Sequence, residues 1–280
     1  MSRAGPPPLI CHPASTPAVH GFRAECPECG SFWDLENLEA DSRYTERYPS
    51  ERSHFDATVG ALKVATLERW LADTSLDVGS RVVCEVGFGG GHCLARLHAT
   101  ARRAFGIETI PTDLEHAVTL GVPGTQMFLA GELPGVLPER VQLWLFQDCL
   151  EHLLEPDPFL AWLEMSSAPD ARVLVVAPDG GSRSRRLLGR HWPHRVPDHA
   201  FHWTPAGMQT LWARHGFAHE SSFRPVKRIS TRMAMLHLRQ TRLAPLTRPF
   251  EWLVPPAHLW FNFGELGMVF SRSRPPGGRP

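Results

Sequence analysis

The sequence predicts an α/β fold, a mostly parallel sheet with helices on both faces, and three observations carry that prediction. From Arg81 to Cys93, RVVCEVGFGGGHC, an apolar strand (Val82, Val83, Cys84) ends in Glu85. It turns through Gly87, Gly89, Gly90 and Gly91 into the helical HCLARLHATARR. A second apolar strand, AFGIE, follows and also ends in an acid, Glu108. Strands and amphipathic segments then alternate as far as RVLVVAP, Arg172 to Pro178, and the strands are apolar throughout, as strands covered on both sides must be.

The chain ahead of these strands reads differently. Its first twenty residues are rich in proline and alanine, the composition of an irregular segment. Cys26-Pro-Glu-Cys29-Gly30 then offers two thiolates at the spacing of a zinc knuckle, with the glycine relieving the turn. Cys11 lies upstream where the other knuckle would fall, but position 14 is Ala14. His12 or His20 would have to complete a four-ligand set with Cys11, Cys26 and Cys29, and a loop without metal is the other reading. The segment SFWDLENLEADSRYTERYPSERSHFD holds both tyrosines, Tyr44 and Tyr48. Between Ala57 and Thr74, Val59, Leu62, Leu67, Trp70 and Leu71 recur at helical spacing and predict an amphipathic helix.

A glycine turn between strand and helix lets backbone approach a ligand, and the helix start offers free N–H groups. A dinucleotide fingerprint would need a third glycine at position 92, which is His92. An acid at the tip of the second strand can accept both hydroxyls of a ribose, so Glu108 suits a nucleoside without a pyrophosphate.

After Glu108 the pattern predicts a helix near 114–120, a strand near 126–129, and a strand over VQLWLF, Val141 to Phe146. Asp157-Pro158 reads as a helix start with Asp157 as N-cap, and Thr204-Pro205 as another, with Trp203 stapled onto Met208 and Gly216 ending the helix. Residues 224–266 suggest a helical insertion walling a greasy pocket or a dimer contact. Residues 273–280 read as a disordered tail.

The turn E-x-G-x-G-x-G with Glu108, and Gln147-Asp148-Cys149-Leu150-Glu151-His152 after the fourth strand, resemble the class I S-adenosylmethionine-dependent methyltransferases. The resemblance implies a Rossmann-like, seven-stranded sheet, with the cofactor held by Glu85, Gly87, Phe88, Gly89, Gly91, Gln147 and Asp148. It gives Glu108 the ribose and Glu132, after the third strand, the adenine amino group. It makes the segment of Tyr44 and Tyr48 a lid, beside the plain reading of a surface helix, and a depleted zinc ribbon of Cys11, Cys26 and Cys29. GMVFSRS, from Gly267, resembles the final antiparallel strand of the family's sheet. Some relatives bind a divalent ion through E-x-x-E-H; at Asp148, Glu151 and His152 no such ion is expected. Asp198-His199-Ala200-Phe201-His202-Trp203-Thr204 resembles an "E-H-x-x-x-(F/W)-(S/T)" segment that lies at the active site of sugar C-methyltransferases. It makes His199 the expected base and Asp198 its orienter, with a packing histidine as the alternative. Arg183, Arg185, Arg186, Arg190 and Arg195 crowd the same loop, where they would meet a substrate phosphate or carboxylate, or simply face solvent.

Composition limits the remaining choices. In 280 residues, 42% are hydrophobic, 21% are charged, and the formal net charge is zero, which gives no support for nucleic acid or an anionic membrane as main partner. Lys63 and Lys227 are the only lysines in an arginine-rich chain. No apolar run is long enough to span a bilayer, and MSRAGPPPLI does not read as a secretory signal. Six cysteines suit a reducing cytoplasm better than a disulfide framework. The expected organisation is a knuckle and lid over 1–56, a methyltransferase domain over 57–272, and the tail. The expected function is methyl transfer to an oxygen or carbon of a small organic acceptor, in a chain that could form a homodimer. A catalytically silent cofactor-binding adaptor and an NAD-dependent oxidoreductase are the alternatives.

Overall fold

A computed structural model describes residues 7–38, 55–196, 198–231 and 257–273. Three short strands, β1 (Ala18–His20), β2 (Arg23–Glu25) and β3 (Phe32–Asp34), open the chain, and the brief helix α1 (Leu35–Leu38) follows. The long helix α2 (Ala57–Asp73) begins where Asp56 accepts hydrogen bonds from the N–H groups of Thr58 and Val59. β4 (Val82–Val86), α3 (His92–Thr100), β5 (Arg103–Glu108), α4 (Pro111–Thr119), β6 (Met127–Leu129), β7 (Val141–Gln147), α5 (Pro156–Ser166) and β8 (Ser167–Pro178) then alternate.

The sheet is covered on both faces because successive strand residues point to opposite sides. On β7, Trp144 and Phe146 join one apolar cluster while Leu143 and Leu145 join the other; on β8, Val173 and Val175 part from Leu174 and Val176 in the same way. Burying each such side chain contributes roughly 1.5–3 kcal/mol.

The chain continues through α6 (Arg183–Leu188), β9 (Phe201–His202), α7 (Pro205–Arg214), β10 (Phe217–Phe223), β11 (Lys227–Ser230), β12 (His258–Phe261) and β13 (Glu265–Arg272). The central sheet has seven strands in the order β10-β13-β8-β7-β4-β5-β6. β6, β5, β4, β7 and β8 are parallel, whereas β13 runs antiparallel to both β8 and β10. The order reverses beside β4, where a crevice opens at the carboxyl ends of the strands.

Capping at α7 follows the sequence: Thr204 accepts from Gly207 N–H, and Gly216 takes a left-handed φ of 75° just past the helix. Trp203 and Met208 are both fully buried in one cluster. The start of α5 departs from expectation. Its N-cap is Glu155, with Pro156 in the first turn, and Asp157 reaches Arg214 and His215 instead, each at 2.7 Å. β8 also begins five residues earlier than the apolar run RVLVVAP.

The N-terminal strands are joined to the rest of the molecule by a second sheet, β1-β2-β3-β9. Thr204 ties it further, since its hydroxyl donates to Cys29 carbonyl at 2.8 Å and its N–H to Ser31 Oγ at 3.0 Å. Gly207 is where the knuckle meets α7, and a Cβ there would fall 2.1 Å from Ser31 Oγ. Leu9, Cys26 and Trp33 share a core with Trp144 and Trp212.

The expected helical insertion over 224–266 is strand at both described flanks, β11 pairing antiparallel with β12. Isoleucine and aromatics there stand on a two-stranded ribbon, which an apolar run by itself does not distinguish from helix. Residues 39–54 with Tyr44 and Tyr48, 232–256 and 274–280 lie outside the described residues. No described helix is long and apolar enough to cross a membrane.

Candidate functional site

A cavity of about 740 Å³ opens at the carboxyl edge of β4, β5 and β7. The glycine turn forms one end. Gly87 takes a φ of 70°, and a Cβ on it would lie 2.6 Å from Cys149 Sγ, so the turn closes only with glycine. Gly89 N–H donates to Glu108 Oε2 at 2.8 Å. The other oxygen, Oε1, accepts from Thr109 N–H at 2.6 Å and from its hydroxyl at 3.0 Å. Three of the roughly four acceptor positions of a carboxylate are thereby used to fix the second strand's tip against the turn. Phe88 is buried in the cavity wall.

Glu85 is 2% exposed and lines the same cavity. Gln147 donates to its Oε1 at 2.7 Å, while Oε2 is buried with no hydrogen-bond partner. Burial pushes its pKa up to about 8; Lys63 and Gln147 oppose the rise and Glu108 adds to it. A cationic or N–H-bearing ligand group would satisfy the orphaned oxygen.

The other end is assembled from distant segments. Asp148 adopts a φ of 49° and meets Lys227 Nζ with both oxygens, at 2.8 and 2.6 Å. Lys227 also pairs with the buried Glu265 at 3.1 Å. Burial opposes the ammonium, but Asp148 and Glu265 outweigh it and hold the Lys227 pKa above its ordinary value. Glu265 sits at about 2, burial being overcome by Lys227 and His194. Sequence reasoning missed both partners; the signal was Lys227 itself, one of two lysines among many arginines.

Beside this pair, Glu151, His152 and His199 bring one ligating atom each within 4.8 Å of one another. His199 Nδ1 bonds the His194 carbonyl at 2.8 Å, and His152 Nδ1 bonds the Asp198 carbonyl at 2.9 Å. A carbonyl can only accept, so each Nδ1 carries a proton. In a neutral ring Nε2 then keeps its lone pair. His199 Nε2 lies 3.8 Å from Glu151 Oε1, and neither Glu151 oxygen has a hydrogen-bond partner. Burial, then His152, His202 and His194, push the His199 pKa well below the usual value. Burial and Asp148 push Glu151 well above its own.

Several expectations need correction. Asp198 lines the cavity, but its carboxylate does not orient His199; the His194 carbonyl holds the ring and Glu151 faces it. Of the residues weighed for a divalent ion, Lys227 takes Asp148, and His199 stands with Glu151 and His152. Glu132 is exposed outside the cavity, and Ala130 lines it at that strand end. None of the five loop arginines lines the cavity.

In the N-terminal segment, Cys11, His12, Cys26 and Cys29 place their ligating atoms within 4.8 Å of one another. His12 rather than His20 completes the set; its Nδ1 lies 3.3 Å from Cys26 Sγ. The Cys29 pKa falls to about 4, chiefly through its hydrogen bond with Cys11, whose own thiol is pushed up by the same contact and by burial. Three sulfurs and one imidazole converging in this way fit a tetrahedral zinc ion.

Over residues 61–222 the chain matches the family described as "Methyltransferase domain". Among solved structures it is similar to magnesium protoporphyrin IX methyltransferase from Synechocystis PCC 6803 with bound S-adenosylhomocysteine, at 14% identity and a TM-score of 0.52, over 84% of this chain and 99% of that one. The YcgJ protein from Bacillus subtilis gives 13% identity and 0.51, over 75% and 99%. A methyltransferase solved with the Trm112 methyltransferase activator of Haloferax volcanii gives 16% and 0.50, over 84% and 98%. No curated protein sequence matches significantly. The family match covers more than half of the 280 residues, and the seven-stranded sheet and glycine turn agree with it: the chain belongs to the class I S-adenosylmethionine-dependent methyltransferases.

Proposed function

We propose that the protein transfers the methyl group of S-adenosylmethionine to an oxygen or carbon of a small organic acceptor. The observation that carries this reading is the two-ended cavity, with the glycine turn, Glu85 and Glu108 at one end and the Glu151–His152–His199 cluster at the other. Glu85 would take the ammonium of the methionyl part on its unpartnered oxygen. Glu108 would take the ribose on its remaining acceptor position, and backbone near Ala130 the adenine.

When bound, the cofactor supplies an electrophilic methyl on sulfur, and the bond's electron pair returns to sulfur as the methyl leaves. What remains for this chain is to align the acceptor and to take one proton. His199 suits that task. Its depressed pKa keeps the ring neutral at physiological pH, Nδ1 is tied to backbone, and Nε2 is left to accept a proton from the acceptor O–H or C–H. Calorimetry with S-adenosylhomocysteine tests the reading. Binding that is lost in Gly87→Val and kept in His199→Ala is expected, and the absence of any binding by the wild type would overturn it.

The two Nδ1 anchors favour a second reading of the acceptor end, in which Glu151, His152 and His199 hold a divalent cation that would bind an acceptor oxygen. The Cys11–His12–Cys26–Cys29 set is proposed as a structural zinc site. Metal analysis of untagged protein, followed by EDTA, separates these sites. About one zinc per chain that resists brief chelation is expected at the cysteines. Methyl release that survives EDTA unchanged would dismiss the cation beside His199.

A further inference from the structure

Behind the loop that carries His199 lies a second hollow of about 200 Å³, which shares no lining residue with the large cavity. Half of its ten lining residues are arginine (Arg23, Arg185, Arg186, Arg190 and Arg195), and none is a carboxylate. Arg23 pairs with Glu25 at 3.3 Å, and Arg195 with Asp34 at 2.5 Å and Glu36 at 2.6 Å. Asp179, outside the lining, also acts on Arg185 and Arg186, so five guanidinium groups are met by four carboxylates and one positive charge is left over. Arg186 and Arg190 make no ion pair within 4 Å among the described residues; Asp179 and Glu36 act on them only from farther away.

The floor of the hollow shows the same deficit. His202 is 1% exposed and stacked on Phe32 at 4.8 Å, yet neither of its ring nitrogens has a hydrogen-bond partner. A buried N–H without an acceptor costs roughly 1–3 kcal/mol. Burial, with His194, Arg195 and Arg185 nearby, pushes the His202 pKa down to about 3, so the ring is neutral and offers one N–H. Arg185 is likewise disfavoured by burial and by Arg23, and it lies 5.2 Å from the centre of the Phe32 ring.

We infer that this hollow is a binding site for a phosphate-class oxyanion, separate from the cofactor cavity. A phosphate carries about −1.5 to −2 charge and several acceptor oxygens, which suits both the arginine-rich, carboxylate-free lining and the orphaned N–H. The loop forms a shared wall. Trp192, Arg195 and His202 face the hollow, while His194, Asp198 and His199 face the cavity. An oxyanion bridging Arg190 and Arg195 therefore steadies the backbone that presents His199. The oxyanion can be free or can be one end of an organic phosphate ester.

The test is calorimetric titration of the full chain with inorganic phosphate and with phenyl phosphate at fixed ionic strength, with S-adenosylhomocysteine titrated in parallel. Saturable binding of at least one probe is expected, weakened about tenfold or more in R186Q/R190Q, whose side chains are exposed and whose fold is not at risk. Affinity for S-adenosylhomocysteine should be unchanged in that variant. Tighter binding of phenyl phosphate supports an ester-borne oxyanion, and equal binding a free one. No saturable binding at millimolar probe, or binding undiminished in R186Q/R190Q, overturns the inference. Phosphate binding without S-adenosylhomocysteine binding would sink the cofactor reading and leave this site standing.

Discussion

The two ends of the cavity are built in opposite ways. At the end proposed for the cofactor the glycine turn is fixed from close by, as in the Gly89–Glu108 hydrogen bond that spans 19 residues between neighbouring strands, and only Gln147 reaches in from afar, to Glu85 across 62. At the acceptor end Lys227 reaches Asp148 across 79 residues, and His152 reaches the Asp198 carbonyl across 46. The turn itself is set by backbone conformation and a short-range hydrogen bond. The acceptor end is held by buried charge and so depends on every partner being present.

Lys227→Met should break the acceptor end most severely. It leaves Glu265, 6% exposed, without its cation, and a loss of about 3–5 kcal/mol is expected in denaturant unfolding. A loss below about 1 kcal/mol would show that the ion pair is not the fastening described. His199→Ala should leave the fold and cofactor affinity intact while lowering turnover about 10²–10⁴-fold. Wild-type turnover in that variant would remove His199 from proton transfer.

Glu85→Gln sharpens the comparison at the cofactor end. The folded pKa of Glu85, about 8, lies above the unfolded carboxyl value, so the folded state holds the extra proton. Its contribution is fully present below the unfolded pKa and is lost as pH rises through about 8, by at most about 5 kcal/mol. The glutamine variant should flatten that part of the stability–pH curve of the ligand-free protein. An unchanged curve would mean that Glu85 is not buried as described.

Much of this protein was legible in its sequence where the code is local. β4, the glycine turn and α3 follow from an apolar run, positive-φ glycines and a helical pattern within a few residues of one another. The Thr204 cap was legible for the same reason, whereas the closing strand came from the family resemblance. Residues 258–261, HLWF, were misread because a short apolar stretch gives no preference between ribbon and helix until a partner strand, here 227–230, is known. Glu132 was placed by the family resemblance as the acid after the third strand, which fixes an edge of the sheet and not the direction in which a side chain leaves it.

The sequence alone determined the alternating strands, the glycine turn and the cysteines of the N-terminal knuckle, since backbone preference and ligand spacing act between near neighbours. Only the tertiary structure decided that Glu151, not Asp198, faces His199, that Lys227 takes Asp148, and that His12 completes the cysteine set. Charge pairing and burial act through space, and no spacing along the chain encodes which distant group will be close enough to matter.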